Sequence, residues 1–418
     1  MLVRELRQQG IMNIKKGCVC MWHLSLEQKQ RFTLVNQLHI PNDWDSIYAY
    51  YKKDGINIEQ HLQHELNQIK SALAKILPTE LLPYLENGLL NRRELPAEAR
   101  HQLLQWQANE ISTFEEALGS TIAQLEAIKT QMDPELYHVL SDSLHDAIIK
   151  DIISTKNRTQ LIINTEGGFT PKALVILTFH NVTQQSGEWQ LHQWILYEEI
   201  QAPSQNLAMR FILDQPEAEV TIVAERITAQ SFYRPLAYHE MIANDVLPDV
   251  KVEAFIDALN RDFTYTIILH HLLLPIEQFT MEGSQIAILQ DGEIVLQHDG
   301  IYMINNEGST KLTHDTITFL ESIYTTAYED PYAIFSEPMP AEELEEALAS
   351  DDLERHVRAW NTLYAAPHEH TDLINKALIA LAQNQHHENN VMLDVYVTHF
   401  DTLGLITDQT KALLAPYL

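Results

Sequence analysis

The sequence predicts an α+β fold in which helices and antiparallel strands occupy separate stretches of the chain. Apolar residues recur every three or four positions up to about residue 140, and short strand-like segments follow from about residue 145. Asp291-Gly292 and Asp299-Gly300 indicate β-hairpins, because type I′ turns need positive φ at both central positions. Regular strand–helix alternation, which is typical of parallel α/β folds, is missing.

The N-terminal region carries a clear helical pattern. A second long helix is expected after Pro96, and Asp133-Pro134 predicts a further helix start, with aspartate as the cap and proline in the first turn. The first helix is predicted from apolar residues that form one stripe at helical spacing. These residues are Ile58, Leu62, Leu66, Ile69, Leu73 and Leu77.

The segments after residue 145 are rich in Ile, Leu, Val, Thr and Phe and are separated by turn residues, so they predict an antiparallel meander of five or six strands. Thirteen glycines are few for 418 residues, which argues against a many-stranded barrel. The predicted strands lie near 146–153, 159–164, 172–180, 189–200, 207–213 and 219–224.

A break near Arg234-Pro235 divides the predicted elements into two groups. In the second group a short helix at 250–260 comes before the hairpins, and a helical pattern continues to the end of the chain. We therefore expect a poorly ordered extension over 1–20, a first domain over 21–228 with helices followed by the meander, and a second α+β domain over 235–418 with hairpins at about 263–305 and helices at about 313–418.

The chain is strongly acidic, with 58 Asp and Glu against 28 Lys and Arg and a formal net charge of −30. Such a surface repels phosphate and attracts basic proteins, so we expect no nucleic-acid partner and consider a basic protein partner. No apolar stretch approaches a membrane span, and Cys18 and Cys20 are too few and too close for a disulfide framework. These features predict a soluble cytoplasmic protein with no membrane partner.

Three segments between residues 143 and 200 carry a family resemblance. They read SLHDAIIKDI, LIINTEGGFTPKALVILTFHNV and EWQLHQWILYEEI, and the earlier segment MWHLSLEQKQRF adds a short aromatic start. Together they resemble an uncharacterised bacterial family, domain of unknown function 4085, over roughly residues 21–228. The resemblance implies a helical region followed by a sheet, and it implies no activity and no functional residues.

Twenty histidines make metal binding a hypothesis to consider. His61 and His64 lie three residues apart on the polar face of the first helix, and His368 and His370 follow Pro367. Imidazoles near carboxylates suit Zn²⁺ or Ni²⁺, although the HExxH motif is missing. The alternative interpretation is a set of solvated polar faces and loops. We expect no cofactor, with a divalent transition metal as the alternative.

Three further pairs have structural interpretations. His145-Asp146 is reminiscent of metal phosphohydrolases, but it opens a strand here, so one of the two is expected to fix the helix-to-strand turn by bonding backbone amides. Glu198-Glu199 alternates faces of a strand and is not nominated as an acid/base pair. His270-His271 is expected within a strand, with one ring on each face.

The most distinctive charge feature runs from Glu329 to Glu354, where ten acidic residues occur without lysine or arginine. Part of this run fits helix capping and a solvated face, and a one-sided run could also receive a basic partner. The candidate partner-binding residues are Glu342, Glu343, Glu345, Glu346, Asp351 and Asp352.

Catalytic motifs are missing from the sequence, with no G-x-S-x-G, no phosphate-binding loop and no G-x-G-x-x-G. The leading hypothesis is therefore a non-enzymatic protein that binds a macromolecule through an acidic surface, for example in an immunity-like or antitoxin-like role. Two alternatives stay open. One is a metal-dependent hydrolase that uses clustered histidines and glutamates, and the other is a structural subunit of a larger assembly.

Overall fold

The computed structural model describes residues 22–41, 43–53, 55–383 and 391–415. The predicted extension over 1–20, with Cys18 and Cys20, lies outside the described residues. The chain divides into two compact units. We call Met1–Pro235 with Lys251–Tyr328 the barrel unit, and Leu236–Val250 with Glu329–Leu418 the helical unit. Helices and antiparallel sheets occupy separate stretches, so the predicted α+β class is confirmed.

The N-terminal helices form where the apolar stripes predict them. The stripe that starts at Ile58 is buried along its length and packs with Leu81, Leu85 and Leu103. Asp133 caps the helix after it by accepting the Leu136 N–H at 3.3 Å, as predicted. The helices are α1 (Leu26–Gln37), α2 (Trp44–Lys53), α3 (Ile58–Leu73), α4 (Leu82–Glu86), α5 (Ala97–Ile128) and α6 (Pro134–Ser141).

Six antiparallel strands follow and close into a barrel in the order β1-β2-β3-β6-β5-β4. Five or six antiparallel strands were predicted and six are present, but they do not form one simple meander. The chain makes two meanders, which are joined by the β3–β6 pair and closed where Ala147 pairs with Ile195. The strands are β1 (Ala147–Thr155), β2 (Arg158–Asn164), β3 (Leu174–Ser186), β4 (Trp194–Gln201), β5 (Leu207–Asp214) and β6 (Ala218–Phe232).

The barrel core explains why few glycines suffice for closure. Its centre is filled by side chains such as Leu161, Leu177, Phe211 and Ile222, all of which are fully buried, and α6 adds Leu136 to the same cluster. In a small barrel the inward-facing positions need bulky side chains rather than glycine. The glycine count therefore does not restrict this fold.

Two helices follow the barrel strands, α7 (Leu236–Ala243) in the helical unit and α8 (Val252–Ala258) in the barrel unit. The chain then forms a seven-stranded antiparallel sheet in the order β12-β11-β10-β9-β8-β7-β13. Its elements are β7 (Tyr265–Leu269), β8 (Leu272–Glu282), β9 (Gln285–Leu289), β10 (Gly292–Gln297), β11 (Gly300–Asn305), β12 (Gly308–Thr313), α9 (Thr316–Leu320) and β13 (Ile323–Thr325).

The hairpins fall where they are predicted, but their turns differ in detail. The β9–β10 turn consists of Gln290 and Asp291, and Gly292 begins β10 with φ +155°. Glycine is needed there because a Cβ would lie 2.3 Å from the Ile304 carbonyl oxygen. In the β10–β11 hairpin Gln297 likewise pairs with Gly300, which leaves His298 and Asp299 as the turn, so the prediction of type I′ turns centred on Asp-Gly is wrong for both hairpins.

His270 and His271 form the exposed turn between β7 and β8, and φ of His270 is +52°. The prediction that they lie within one strand, one ring inward, is wrong. Apolar residues lie on both sides of this turn, so the two strands look like one long apolar strand in the sequence and the hairpin was not predicted. The predicted helical pattern from residue 313 likewise missed β13.

The division into units differs from the predicted domains. The hairpin sheet packs on the barrel, because Ile268 and Tyr324 share one apolar cluster with Ile162, Leu174 and Phe232 of the barrel. Tyr233 and Thr325 also exchange two backbone hydrogen bonds, at 2.8 and 3.0 Å. The hairpins thus belong with the barrel, and the predicted boundary at residue 235 does not separate them from it.

The helical unit has its own core, which contains Trp360, Leu363, Leu378 and Phe400. Among the described residues of the two units, no helix is both long enough and apolar enough to cross a membrane. Besides α7, the helices of this unit are α10 (Ala333–Ser336), α11 (Ala341–Leu348), α12 (Leu353–Ala365), α13 (Thr371–Gln383), α14 (Val391–Thr402) and α15 (Asp408–Leu414).

Candidate functional site

The predicted acidic residues lie together on the helical unit. Leu344 and Ala347 of α11 are fully buried in the core of this unit, so the glutamates between and beside them face solvent. Pro340 precedes the first helical residue. We call the six residues the acidic surface: Glu342, Glu343, Glu345 and Glu346 on α11, with Asp351 and Asp352 immediately before α12.

Half of the acidic surface is already paired. Glu346 lies 3.2 Å from Arg355, and Glu345 lies 3.5 Å from Lys376. Asp352 caps α12 by accepting the Glu354 N–H at 3.0 Å.

The other half of the acidic surface consists of Glu342, Glu343 and Asp351. All three are exposed, and their side chains have no hydrogen bond or ion pair with any residue that the structure describes. These three carboxylates are available to an incoming cation without displacing a partner.

The predicted metal residues form two separate pairs. On α3, His61 lies 3.2 Å from Glu65, and His64 contacts Gln68 at 2.9 Å. His368 and His370 lie at the 3₁₀ turn Pro367–Glu369 in the helical unit. Within the described parts of the chain, no group of three or more His, Cys, Asp or Glu side chains is arranged to hold a metal ion.

A cavity of about 370 Å³ in the barrel unit was not predicted from the sequence. It lies between α5, the end of α6, the turn that leads into β1, and β4. Leu118, Ile122 and Leu125 of α5 line it, together with Tyr197 and Glu198 of β4. Both catalysis and small-molecule binding favour such mixed cavities, in which a few polar groups converge within apolar walls.

A β-bulge brings Glu198 into this cavity. The β4–β5 register shifts between Ile195 and Tyr197, which leaves Leu196 as the extra residue. Ile195 and Ile200 both join the barrel core although they are an odd number of positions apart, so the bulge has reversed the alternation. Glu198 therefore lies on the same face as Ile200. No feature of the sequence signals this bulge.

The Glu198 carboxylate is incompletely paired. Its Oε1 accepts the Leu144 N–H at 2.9 Å, whereas its Oε2 is shielded from solvent and has no hydrogen-bond partner among the described residues. Burial raises the pKa of Glu198, and hydrogen bonds from the Leu144 amide and the Ser143 hydroxyl oppose that shift. Burial also raises the pKa of the neighbouring Tyr197.

His145 lines the same cavity, and Asp146 follows it in the chain. His145 Nδ1 is 3.0 Å from Asp146 Oδ2, a charge contact without hydrogen-bond geometry, and its ring meets Tyr197 edge-on at 5.5 Å. The prediction that His145 or Asp146 holds the turn through backbone amides is wrong. Ser143 accepts the His145 N–H and Glu198 accepts the Leu144 N–H, so these two side chains hold the turn.

Glu199 has a different role from its neighbour. It is 3% exposed, and its carboxylate accepts the N–H groups of His23, at 3.0 and 3.1 Å, and of Leu24, at 3.1 Å. Glu219 accepts the Leu26 N–H at 3.1 Å. The segment before α1 is thus fixed to the barrel, and Leu24 becomes part of the cavity wall.

Stability should depend on pH through Glu198. Its folded-state pKa is raised above the ordinary value of 4.5, so the folded protein holds this proton more tightly than the unfolded chain. The stability contributed by the group is complete below pH 4.5 and is lost as pH rises through the folded pKa. The Glu198→Gln variant has no carboxyl group at this position, so it should not lose this stability as the pH rises.

Urea denaturation between pH 4.5 and 8 checks this expectation. The free energy of unfolding of Glu198→Gln, minus that of the unaltered protein, should increase with pH. A difference that stays constant over this range would show that the carboxyl group titrates as it does in water.

Taken together, the fold and these sites define an α+β protein that joins a closed six-stranded barrel to a helical unit with an acidic face. Residues 24–224 match the model of a family described as a protein of unknown function (DUF4085). The match confirms the resemblance predicted for residues 21–228. It covers a partial segment of the 418-residue chain, which includes the cavity and ends within β6. Curated proteins and solved structures give no match.

Proposed function

We propose that this protein is a cytoplasmic, non-enzymatic binding protein whose acidic surface receives a basic macromolecule. The observation that supports the proposal is that the exposed side chains of Glu342, Glu343 and Asp351 have no ion pair or hydrogen bond with any residue that the structure describes, although Arg355 and Lys376 pair with the neighbouring Glu346 and Glu345. A binding protein that neutralises a basic toxin, in the manner of an immunity protein or antitoxin, is one concrete form of this function.

The electrostatics of the chain favour such a partner. A net charge of −30 attracts basic proteins and raises their association rate. Because the screening length is about 10 Å at 0.1 M salt, the complex should weaken as salt increases. Partner lysines and arginines would meet carboxylates that have no competing intramolecular pair, so no existing ion pair has to be broken.

The test compares two charge reversals of equal size. Glu342→Lys with Glu343→Lys alters the acidic surface, and Glu115→Lys with Glu116→Lys alters exposed positions on α5 by the same net charge. The tagged, full-length proteins are used for pull-down from a lysate of the source cells at low ionic strength. We expect the α11 variant to recover at least tenfold less of the bound protein, and the α5 variant to recover as much as the unaltered chain.

Equal losses in the two variants would show a dependence on total charge alone and would contradict the proposal, as would recovery of no basic protein by the unaltered chain. Lysine in the first turn of α11 opposes the helix dipole and costs about 0.3–1 kcal/mol per residue. Glu342→Gln with Glu343→Gln avoids most of that cost, and it should reduce recovery in the same direction. Native mass of the recovered complex distinguishes a binary complex from a larger structural assembly.

A further inference from the structure

The cavity between α5 and β4 is lined by a glutamate that is incompletely hydrogen-bonded, and the acidic surface does not explain this feature. Glu198 Oε2 is shielded from water and lacks a hydrogen-bond partner among the residues described. Leaving a buried charged acceptor unpaired is expensive, so such an oxygen is stable only when it is protonated or when it meets a donor. Glu198 lines the cavity, so a ligand there that pairs with its carboxyl group, turned to face the cavity, would remove this penalty.

The walls of the cavity select for a ligand with an apolar body. Leu118, Ile122 and Leu125 follow one another at helical spacing on α5, and Leu140 closes the end. Ile122 is 64% exposed, so an apolar side chain at the cavity is left uncovered. A volume of about 370 Å³ falls within the roughly 300–1,000 Å³ typical of small-molecule sites.

The charges around the cavity select for a cation. Three carboxylates line it, those of Glu126, Glu198 and Glu199, and the lining that the structure describes includes no lysine or arginine. Both oxygens of Glu199 accept backbone amides, whereas Glu126 uses one oxygen for the Tyr137 hydroxyl and Glu198 uses one for the Leu144 amide, so each of these two carboxylates keeps one oxygen without a partner among the described residues. An anionic ligand would be repelled here, whereas an organic cation is attracted both locally and by the whole protein.

We propose that this cavity binds a small amphipathic organic cation, an alkylammonium or arylalkylammonium, with its ammonium group on the Glu198 carboxylate and its apolar body against Leu118, Ile122 and Leu125. An ammonium group has three donors. Besides Glu198, the residues Ser141 and Ser143 line the cavity, and their hydroxyls can accept a further hydrogen bond.

Titration calorimetry on the full-length protein tests this directly, with hexylamine hydrochloride as the cationic probe. 1-Hexanol and sodium hexanoate have the same apolar chain with a neutral or an anionic head. We expect hexylammonium to bind with a Kd of the order of 0.1–1 mM, given the affinity limits for so small a ligand. It should bind at least tenfold more tightly than hexanol, and hexanoate should not bind.

Two variants test the contributions of the ammonium head and of the apolar chain of the ligand separately. Glu198→Gln keeps the size of the side chain, and it should weaken hexylammonium at least tenfold while hexanol changes less than twofold. Ile122→Asn, at an exposed position, should weaken hexylammonium and hexanol by similar factors. Glu115→Gln removes an exposed carboxylate elsewhere on α5 and should change neither.

The results that would overturn the proposal are equally specific. They are the absence of hexylammonium binding at 10 mM probe, on the order of ten times the weakest expected Kd, and hexylammonium affinity that Glu198→Gln leaves unchanged. Hexanoate binding as tightly as the amine would also overturn it. Thermal unfolding of each variant shows whether it is folded. If Glu198→Gln does not fold, the comparison of the three probes on the unaltered protein and on Ile122→Asn still decides the question.

Discussion

Alanine in place of Phe211 is expected to lower the free energy of unfolding of the barrel unit by about 3–5 kcal/mol. Phe211 lies on β5, is fully buried in the barrel core, and meets the Trp189 ring edge-on at 5.0 Å. A closed barrel leaves little freedom for neighbours to collapse into the space that the ring leaves, so most of the cavity cost should persist. Urea denaturation followed by circular dichroism measures the change.

The matched control is the same substitution at Phe169. That ring lies between β2 and β3 and is 90% exposed, so Phe169→Ala should change the free energy of unfolding by less than about 0.5 kcal/mol. Similar losses for the two variants would mean that Phe211 is not enclosed as the barrel requires.

Alanine in place of Glu199 should cost about 3–6 kcal/mol, because hydrogen bonds to charged groups contribute about 1.5–3 kcal/mol each and two backbone amides lose their acceptor. These are the amides of His23 and Leu24. The loss should concentrate on the segment before α1, where amide hydrogen exchange is expected to become faster at His23 and Leu24 than at buried positions of β2.

Glu188→Ala removes an exposed carboxylate and serves as the control, with little expected change in stability or exchange. If Glu199→Ala leaves exchange at His23 and Leu24 as slow as before, then the carboxylate does not hold this segment and Leu24 is not fixed as a wall of the cavity.

The features that the sequence predicts well are those that depend on neighbours in the chain. The stripe from Ile58 to Leu73 is helical and buried because its spacing alone defines an apolar face. Barrel closure depends instead on pairing between Ala147 and Ile195, which no local pattern specifies. The boundary of the barrel unit also depends on pairing between distant residues, since Tyr233 pairs with Thr325, which lies far away in the sequence.

The acidic surface and the cavity also differ in how far local sequence patterns predict them. The acidic surface is visible in the sequence because carboxylates on consecutive turns of a short amphipathic helix must face solvent. Glu198 looks like any strand glutamate in the sequence. Its environment arises from the bulge at Leu196, from the Leu144 amide and from the packing of α5, none of which periodicity reveals.

The claim that the acidic surface receives a basic partner is tested most directly by zero-length carbodiimide cross-linking, which joins carboxylates to lysine amines in direct contact. The reaction is carried out at low ionic strength on the complex recovered from lysate, and the linked residues are mapped by mass spectrometry. We expect links from partner lysines to Glu342, Glu343 and Asp351, with few at exposed carboxylates such as Glu115 and Glu188. Links spread evenly over the exposed carboxylates, or absent from α11, would contradict the account.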